Sequence, residues 1–194
     1  MSHIVSYIWV LKDKLIDKIY NLNILPNVSR EDKSRENDWV FSKIYTHFYN
    51  LSSPPTEIID NIYLGNGYNA ADLKTLQLNN IQYIINATNE IPNYYSNDIS
   101  KNITYMKIPI SDVEGSSIKD YLEQSYTFIT QSNDIGTGNI LVHCYMGSSR
   151  SAAVVIYYLM KMHNKTWEEA MDFIKSKRDI VNLNTCFIED LKSL

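Results

Sequence analysis

Residues 143–151, HCYMGSSRS, lie between two apolar runs and strongly limit what this chain can fold into. The run before them, Asn139–Val142, has the length and the β-branched content of a strand. The run after them, Ala152–Met160, is long enough for a buried helix, which we expect to open at Arg150. The segment therefore predicts a strand that ends near Cys144, then a short loop, then a helix.

The spacing within this loop indicates an anion site. Five residues separate Cys144 from Arg150, which lets the backbone curl into a ring whose N–H groups point inward. Such amides bind anions together with a helix N-terminus, and a guanidinium grips two phosphate oxygens at once. These positive surroundings lower a thiol pKa from ~8.5 toward ~3.5–7.5.

The alternative is a structural cysteine that precedes an arginine by chance. The chain has only four arginines and two cysteines, which disfavours that interpretation.

The segment Val142–Ser151 resembles the signature of the cysteine-based protein phosphatases. The likeness is strongest to their dual-specificity branch, in particular to catalytic domains of the MAP-kinase-phosphatase type. Further segments that match this branch are Ile62–Gly65, Ile84–Thr88, Ile108–Asp112, Tyr158–Met160 and Asn184–Phe187. The likeness runs from about Pro55 to the C-terminus. It implies metal-independent hydrolysis of phosphotyrosine and phosphoserine or phosphothreonine in proteins, without a cofactor, through a cysteinyl-phosphate intermediate.

The resemblance assigns roles within the loop. Cys144 is the nucleophile and Arg150 the phosphate clamp, while Ser151 donates a hydrogen bond that helps the thiolate leave; a helix N-cap is the alternative for Ser151. His143 orients the loop from behind. A Cys–His hydrolase dyad competes with that role, but neighbours at a strand end point in opposite directions. The residues expected to supply amides to the phosphate are Tyr145, Met146, Gly147, Ser148 and Ser149.

The leaving oxygen needs a proton, so a carboxylic acid is expected opposite the cysteine. Asp112 follows a predicted strand and matches the acid's place in the resemblance. Glu114, two residues on, is the second candidate for the acid. Alternatively, Asp112 caps the turn into the helix near Ile118.

Two residues near the C-terminus carry open interpretations. Asn184 matches an asparagine that supports the loop in the family, and a helix N-cap explains it equally well. Cys186 is either a partner for a reversible disulfide with Cys144 or a small buried apolar residue. We favour the second.

Composition limits partners and location. The net charge of −4 gives no general affinity for nucleic acid, and two cysteines fit a reducing compartment. No apolar run reaches membrane-spanning length and no signal-peptide pattern begins the chain. We therefore expect a cytoplasmic or nuclear protein. The resemblance implies that it needs no metal and that its partners are phosphorylated proteins, kinases among them. The phosphate loop lacks the lysines that relatives acting on inositol phospholipids tend to carry, which favours protein substrates.

The chain divides into an N-terminal helical extension with a linker, residues 1–54, and a catalytic domain, residues 55–194. Apolar residues at three- and four-residue intervals predict a helix over Ser2–Leu22. Its apolar face packs on its own domain, on a second subunit to form a homodimer, or, least favoured, on a membrane. A second helix is expected over Trp39–Leu51.

Strands and helices alternate beyond residue 55, which predicts an α/β domain with a mainly parallel central sheet covered by helices on both faces. The predicted strands are Glu57–Leu64, Tyr83–Asn86, Ile103–Lys107 and Asn139–His143. The predicted helices are Asn69–Leu78, Ser117–Gln131, Arg150–His163, Thr166–Lys177 and Thr185–Leu194.

Two other functions remain alternatives. An RNA 5′-phosphatase uses the same kind of cradle, but the acidic balance and the lack of a basic patch beside the loop disfavour it. A non-catalytic phosphoprotein-binding module would keep the pocket without the chemistry. Such a module would normally lose the cysteine or the arginine, and both are present.

Overall fold

The computed structural model describes residues 50–194, of which Pro54–Leu194 form a compact unit. Its strands are β1 (Thr56–Ile59), β2 (Ile62–Gly65), β3 (Ile81–Asn86), β4 (Thr104–Lys107) and β5 (Asn139–His143). They form one sheet in the order β1-β2-β5-β3-β4. β1 pairs antiparallel with β2, whereas β2, β5, β3 and β4 are parallel. The predicted mainly parallel α/β sheet is confirmed.

Helices cover both faces of this sheet. They are α1 (Gly67–Ala71), α2 (Leu73–Leu78), α3 (Lys119–Ile135), α4 (Arg150–His163), α5 (Trp167–Lys177) and α6 (Thr185–Lys192). Successive strand residues point to opposite faces. Ile84 and Leu141 accordingly pack in a small cluster with Ala70 and Leu76 of α1 and α2. Their neighbours on β3 and β5 join the larger core with α3 to α6. Residues 150–159 of α4 are all buried, as expected of a helix that is apolar all round.

Two predicted elements are each divided in the structure. The single strand predicted over Glu57–Leu64 is wrong, because Asn61 adopts a positive φ of 67° and turns the chain between β1 and β2. Asparagine tolerates that conformation in turns. The single helix predicted over Asn69–Leu78 is also wrong. Asp72 has an extended backbone there, and its side chain accepts from the Lys74 N–H as the N-cap of α2.

The remaining elements are confirmed, and most of them have shifted ends. The largest shift is at the C-terminus of α3, which continues to Ile135 and stops where Gly136 adopts a φ of 67°. α4 has the predicted bounds, and Thr166 is the N-cap of α5 rather than its first residue. The predicted helix over Ser2–Leu22 and nearly all of the one over Trp39–Leu51 lie outside the described residues. Within residues 50–194, no helix is both long and apolar enough to cross a membrane.

The sheet brings four loops together at one edge. His143 at the end of β5 is the register partner of Gly65 at the end of β2 and of Asn86 at the end of β3. Asn86 in turn pairs with Lys107 at the end of β4. The parallel strands therefore finish level with each other. Ligands of open α/β sheets bind beyond the carboxyl ends of the strands. A ligand site is therefore expected among the loops that follow β2, β3, β4 and β5.

Candidate active site

The backbone between Cys144 and Arg150, the 144–150 loop, has its carbonyl groups turned outward. Each carbonyl from Cys144 to Ser149 meets a donor group behind the loop. The donors, in order, are His143 Nδ1 (3.3 Å), the N–H of Gly67 (3.1 Å), Arg178 Nη2 (3.3 Å), Arg178 Nε (3.0 Å), the N–H of Asn182 (3.0 Å) and the N–H of Ala153 (2.9 Å). In a trans peptide group the N–H points opposite to the C=O. The loop amides are therefore directed toward its centre, which is the arrangement that binds an anion.

Cys144 lies at the base of this loop and is 1% exposed. Its Sγ accepts hydrogen bonds from the Gly147 N–H at 3.3 Å and from Ser151 Oγ at 3.2 Å. Burial alone opposes ionisation, but the bonds from Ser151 and the charge of Arg150 outweigh it, so the pKa of the Cys144 thiol is lowered. The site therefore stabilises the thiolate form more than solvent does. Ser151 is inside α4, and Ser149 occupies the N-cap position, so the N-cap interpretation of Ser151 is wrong.

Arg150 is 5% exposed and its guanidinium has three neighbours. Nη1 donates to both carboxylate oxygens of Glu90, at 2.9 and 3.1 Å, and to the carbonyl of Ile110 at 3.1 Å. Nε lies 3.8 Å from a carboxylate oxygen of Asp112 and is buried without a hydrogen-bond partner. A buried donor without a partner is costly, and an anion inside the loop is the kind of ligand that would satisfy it.

Glu90 is a residue that the sequence analysis did not select. It follows β3 and stands 60 positions from Arg150. Partial burial opposes its ionisation, but hydrogen bonds from backbone N–H groups and from Arg150 prevail, and the pKa of Glu90 is lowered. The charged carboxylate therefore fixes the direction of the guanidinium. No local pattern in the sequence marks this residue.

Asp112 is held on the loop that follows β4. Ser149 Oγ donates to its Oδ1 at 3.0 Å, and Asn184 Nδ2 approaches the same oxygen at 3.4 Å. Asp112 does not cap the next helix: the carboxylate of Asp190 accepts from the Ile118 N–H at 2.8 Å. The alternative cap role for Asp112 is therefore wrong.

The second acid candidate lies on the same loop as Asp112. Both carboxylates are exposed, but Asp112 lines the cavity and Glu114 does not. The geometry favours Asp112 over Glu114 for an acid directed at the site.

His143 is 1% exposed and lies behind the loop. Its Nδ1 is 3.3 Å from the Cys144 carbonyl oxygen, so the ring contacts the loop backbone. Burial lowers the pKa of His143 from 6.5 to about 4, helped by the charges of Lys107 and Arg150. The imidazole is therefore neutral near pH 7 and shapes the loop without adding charge.

Arg178 is a second functional residue absent from the sequence analysis. It is 5% exposed and binds Thr56 Oγ1 at 3.1 Å in addition to the carbonyls of Met146 and Gly147. Arg178 stands 31 positions from Gly147 in the sequence, so no local pattern marks its role.

Asn184 is the N-cap of α6, and its backbone N–H donates to Ser149 Oγ of the 144–150 loop at 3.1 Å. Its Oδ1 accepts from the Cys186 N–H at 3.0 Å, which caps α6, and its Nδ2 donates to the Val113 carbonyl at 3.1 Å. Cys186 is a half-buried free thiol whose Sγ accepts from the Gly115 N–H at 3.3 Å. Both residues thus contact the loop that carries Asp112.

These groups surround a cavity of about 400 Å³. Its lining residues are Glu90, Ser111, Asp112, Val113, Cys144, Tyr145, Met146, Ser148 and Arg150. The structure thus places a thiol, a guanidinium and a carboxyl group around one opening. Within the described part of the chain, no cluster of three or more His, Cys, Asp or Glu side chains is arranged to hold a metal ion.

Comparison with known proteins identifies similar domains. A family model for the dual specificity phosphatase catalytic domain matches residues 62–194. The chain is 37% identical over 139 residues to the protein phosphatase Slingshot homolog of Xenopus laevis and 34% identical over 139 residues to the protein phosphatase Slingshot of Drosophila melanogaster. Each match covers 72% of this chain, but only 19% and 13% of those proteins. The chain therefore spans a fifth or less of the length of these relatives.

Solved structures show the same fold. The crystal structure of DUSP15 has a TM-score of 0.65 at 31% identity, and the match covers 72% of this chain and 85% of that one. The human tyrosine phosphatase-like serine/threonine/tyrosine-interacting protein has a TM-score of 0.62 at 28% identity, with 72% and 93% covered. Human DUSP28 matches with a TM-score of 0.66 over 73% of this chain and 92% of its own; its 23% identity supports the fold alone.

Proposed function

The chain belongs to the dual-specificity phosphatase catalytic-domain family, and on this premise we propose that residues 55–194 hydrolyse phosphotyrosine and phosphoserine or phosphothreonine in proteins. The observation that carries the proposal is the position of Cys144. Its sulfur lies beneath a ring of inward amides, with a lowered thiol pKa and with Arg150 closing the ring. This is a nucleophile inside a phosphate-binding cradle.

In the first step, the Cys144 thiolate attacks phosphorus. A sulfur–phosphorus bond forms while the bond from phosphorus to the leaving oxygen breaks. The loop amides and Arg150 hold the equatorial oxygens as charge redistributes. Asp112 gives its proton to the leaving oxygen, so the substrate departs as a neutral alcohol or phenol.

In the second step, water attacks the cysteinyl phosphate. Asp112, now ionised, removes a proton from the water, and the sulfur–phosphorus bond breaks to release inorganic phosphate. The Ser151 hydroxyl, 3.2 Å from Sγ, stabilises the departing thiolate by donating a hydrogen bond. Atoms and charges return to their starting state, so the cycle needs neither a metal nor a redox partner.

The two carboxylates at the opening have separate roles in this proposal. Glu90 receives two hydrogen bonds from Arg150 and serves to orient the guanidinium. Asp112 is bound by Ser149 and by Asn184, and it transfers the proton. Ser149 and Asn184 thus act as positioning residues, since they act through Asp112.

Protein substrates are favoured over inositol phospholipids because Tyr145, Met146, Ser148 and Ser149 add no positive charge to the loop. The partners of this protein would be phosphorylated proteins, kinases among them. A cytoplasmic or nuclear location, the lack of nucleic-acid partners and a homodimer through the N-terminal helix stay predictions from the sequence.

The first test measures hydrolysis of a chromogenic aryl phosphate without added metal, beside the Cys144→Ser variant. We expect turnover by the wild-type protein and its loss in the variant, which should still bind inorganic phosphate. Matched phosphotyrosine and phosphothreonine peptides then measure the specificity. Appreciable activity in Cys144→Ser would exclude Cys144 as the nucleophile.

An inactive but well-folded wild-type protein would favour one of the two other functions. Removal of a 5′-phosphate from RNA would identify the RNA phosphatase. Tight binding of phosphopeptides without turnover would identify the binding module.

A further inference from the structure

A second cavity, of about 290 Å³, opens beside the phosphate cavity and has no assigned role. Its lining residues are Gly67, Tyr68, Ala71, Ile91, Tyr94 and Tyr145. None of these side chains is charged, and most of the lining surface is apolar. Tyr68 and Tyr94 remain 58% and 46% exposed. Tyrosines that keep this much exposed ring surface are suited to binding a partner. We call this cavity the aromatic groove.

The aromatic groove adjoins the phosphate cavity. Tyr145 lines both cavities, and Glu90 of the phosphate cavity is followed directly by Ile91 of the groove. A peptide whose phosphorylated side chain enters the phosphate cavity therefore carries its neighbouring side chains past Tyr145. The groove is thus placed to contact residues next to the phosphorylated one.

The aromatic groove is built on tightly held backbone. The Gly67 N–H donates to the Tyr145 carbonyl at 3.1 Å, which joins the start of α1 to the 144–150 loop. The backbone of Ile91 is held on both sides, by Asn86 Nδ2 at 2.9 Å and by Thr88 Oγ1 at 3.1 Å. Ile91 packs so closely on Gly67 that an added Cβ would meet it at 2.6 Å. A preformed groove loses little entropy when it binds a side chain.

As a refinement that rests on the proposed function, we propose that the aromatic groove binds an aromatic side chain within two residues of the phosphorylated residue in the protein substrate. Tyrosine faces and edges attract other aromatic rings beyond simple burial. The lining has no charged side chain to form a salt bridge with a lysine or a glutamate, whereas an aromatic ring fills this mostly apolar groove without burying a charge. The groove therefore makes the protein select phosphorylated segments that carry an aromatic neighbour.

The test compares phosphotyrosine peptides that differ at one neighbouring position, with Phe, Ala, Lys or Glu scanned through the two positions on each side. At one position we expect kcat/KM to be about tenfold higher for Phe than for Ala, as for one well-packed aromatic contact. Tyr94→Ala and Tyr68→Ala should reduce this ratio toward one, whereas Tyr94→Phe should retain it. Turnover of the small aryl phosphate should be unchanged in all three variants, which also shows that they fold.

The same peptides are titrated against the Cys144→Ser protein, so that the preference is measured even without turnover. Equal affinities for Phe and Ala peptides at every position, a preference for Lys or Glu, or a Phe preference that survives both alanine variants would each overturn the proposal. Failure of the proposed function has a different signature, because the wild-type protein would then leave the aryl phosphate intact.

Discussion

Gly147 is the position in the 144–150 loop where a single methyl group should do the most damage. Its φ is +74°, and a Cβ built there would lie 2.4 Å from the Gly65 carbonyl oxygen and 2.7 Å from the Gly65 carbonyl carbon. Both atoms are backbone at the end of β2 and cannot rotate away. The Gly147→Ala variant must therefore shift either the loop or the strand.

The magnitude follows from two separate penalties. An alanine at positive φ costs about 1–2 kcal/mol, and an unrelieved collision in a packed region adds about 1–3 kcal/mol. We therefore expect Gly147→Ala to lower the free energy of unfolding by about 2–5 kcal/mol. Because the Gly147 N–H also donates to Cys144 Sγ at 3.3 Å, inhibition by inorganic phosphate should weaken as well.

Gly115 supplies a matched control. Its φ is +83°, and a Cβ there would have no neighbour within 4 Å. Gly115→Ala should therefore cost only the backbone penalty of about 1–2 kcal/mol. Urea unfolding of both variants isolates the collision as the difference between them. If Gly147→Ala unfolds within about 0.5 kcal/mol of Gly115→Ala, the close contact with Gly65 does not constrain the loop.

Three further predictions concern side chains. Asp112→Asn should slow turnover of alkyl and phenyl phosphates far more than turnover of aryl phosphates with very acidic leaving groups, which need no proton. Equal losses on both would assign the proton to Glu114 or elsewhere. Glu90→Ala should lower kcat/KM by about tenfold or more because Arg150 loses its orientation, while Glu90→Gln, which keeps an acceptor, should lose less; an unchanged kcat/KM in Glu90→Ala would refute this. The pKa of His143 is about 4 in the folded protein and ordinarily 6.5, so the unfolded chain binds the extra proton and the free energy of unfolding should fall as the pH drops from 6.5 toward 4. Urea unfolding at several pH values checks this, and His143→Asn should flatten the dependence if the histidine causes it.

The parts of the fold that the sequence predicts well are those set by contiguous residues. α4 begins and ends where its apolar run and the loop before it indicate, because a helix apolar on all sides leaves little choice of element. The errors come from short polar interruptions. Asn61 in a left-handed conformation and Asp72 as an N-cap each divide a segment whose apolar pattern continues across them. Turn chemistry outweighed periodicity at both places.

In the candidate site, too, contiguous residues are predictable and residues from separate segments are not. The thiol, the arginine and the hydroxyl of Ser151 are predictable because they lie within eight consecutive positions. The groups that give the loop its shape are not, since Gly67, Glu90 and Arg178 come from separate segments and meet the loop only in the folded sheet.

The shape of the 144–150 loop is therefore set by several separate segments that meet it at the carboxyl ends of the strands. His143 at the end of β5 holds the Cys144 carbonyl, and the other carbonyls are held outward by donors that follow β2, precede α6 or belong to α4 itself. Within the segment HCYMGSSRS, only His143 holds one of these carbonyls, so the donors from outside the segment keep the others from turning inward and repelling a phosphate. The two charged residues that support the loop each have the chemistry that their position needs. Arg178 can only donate hydrogen bonds, so it binds carbonyl oxygens, and ionised Glu90 can only accept them, so it binds the Arg150 guanidinium. Arg178 holds backbone oxygens from behind, and Glu90 holds the second arginine in front. The signature segment identifies the chemistry. The residues that shape the loop and orient Arg150 come from distant parts of the sequence and reach it only in the folded domain.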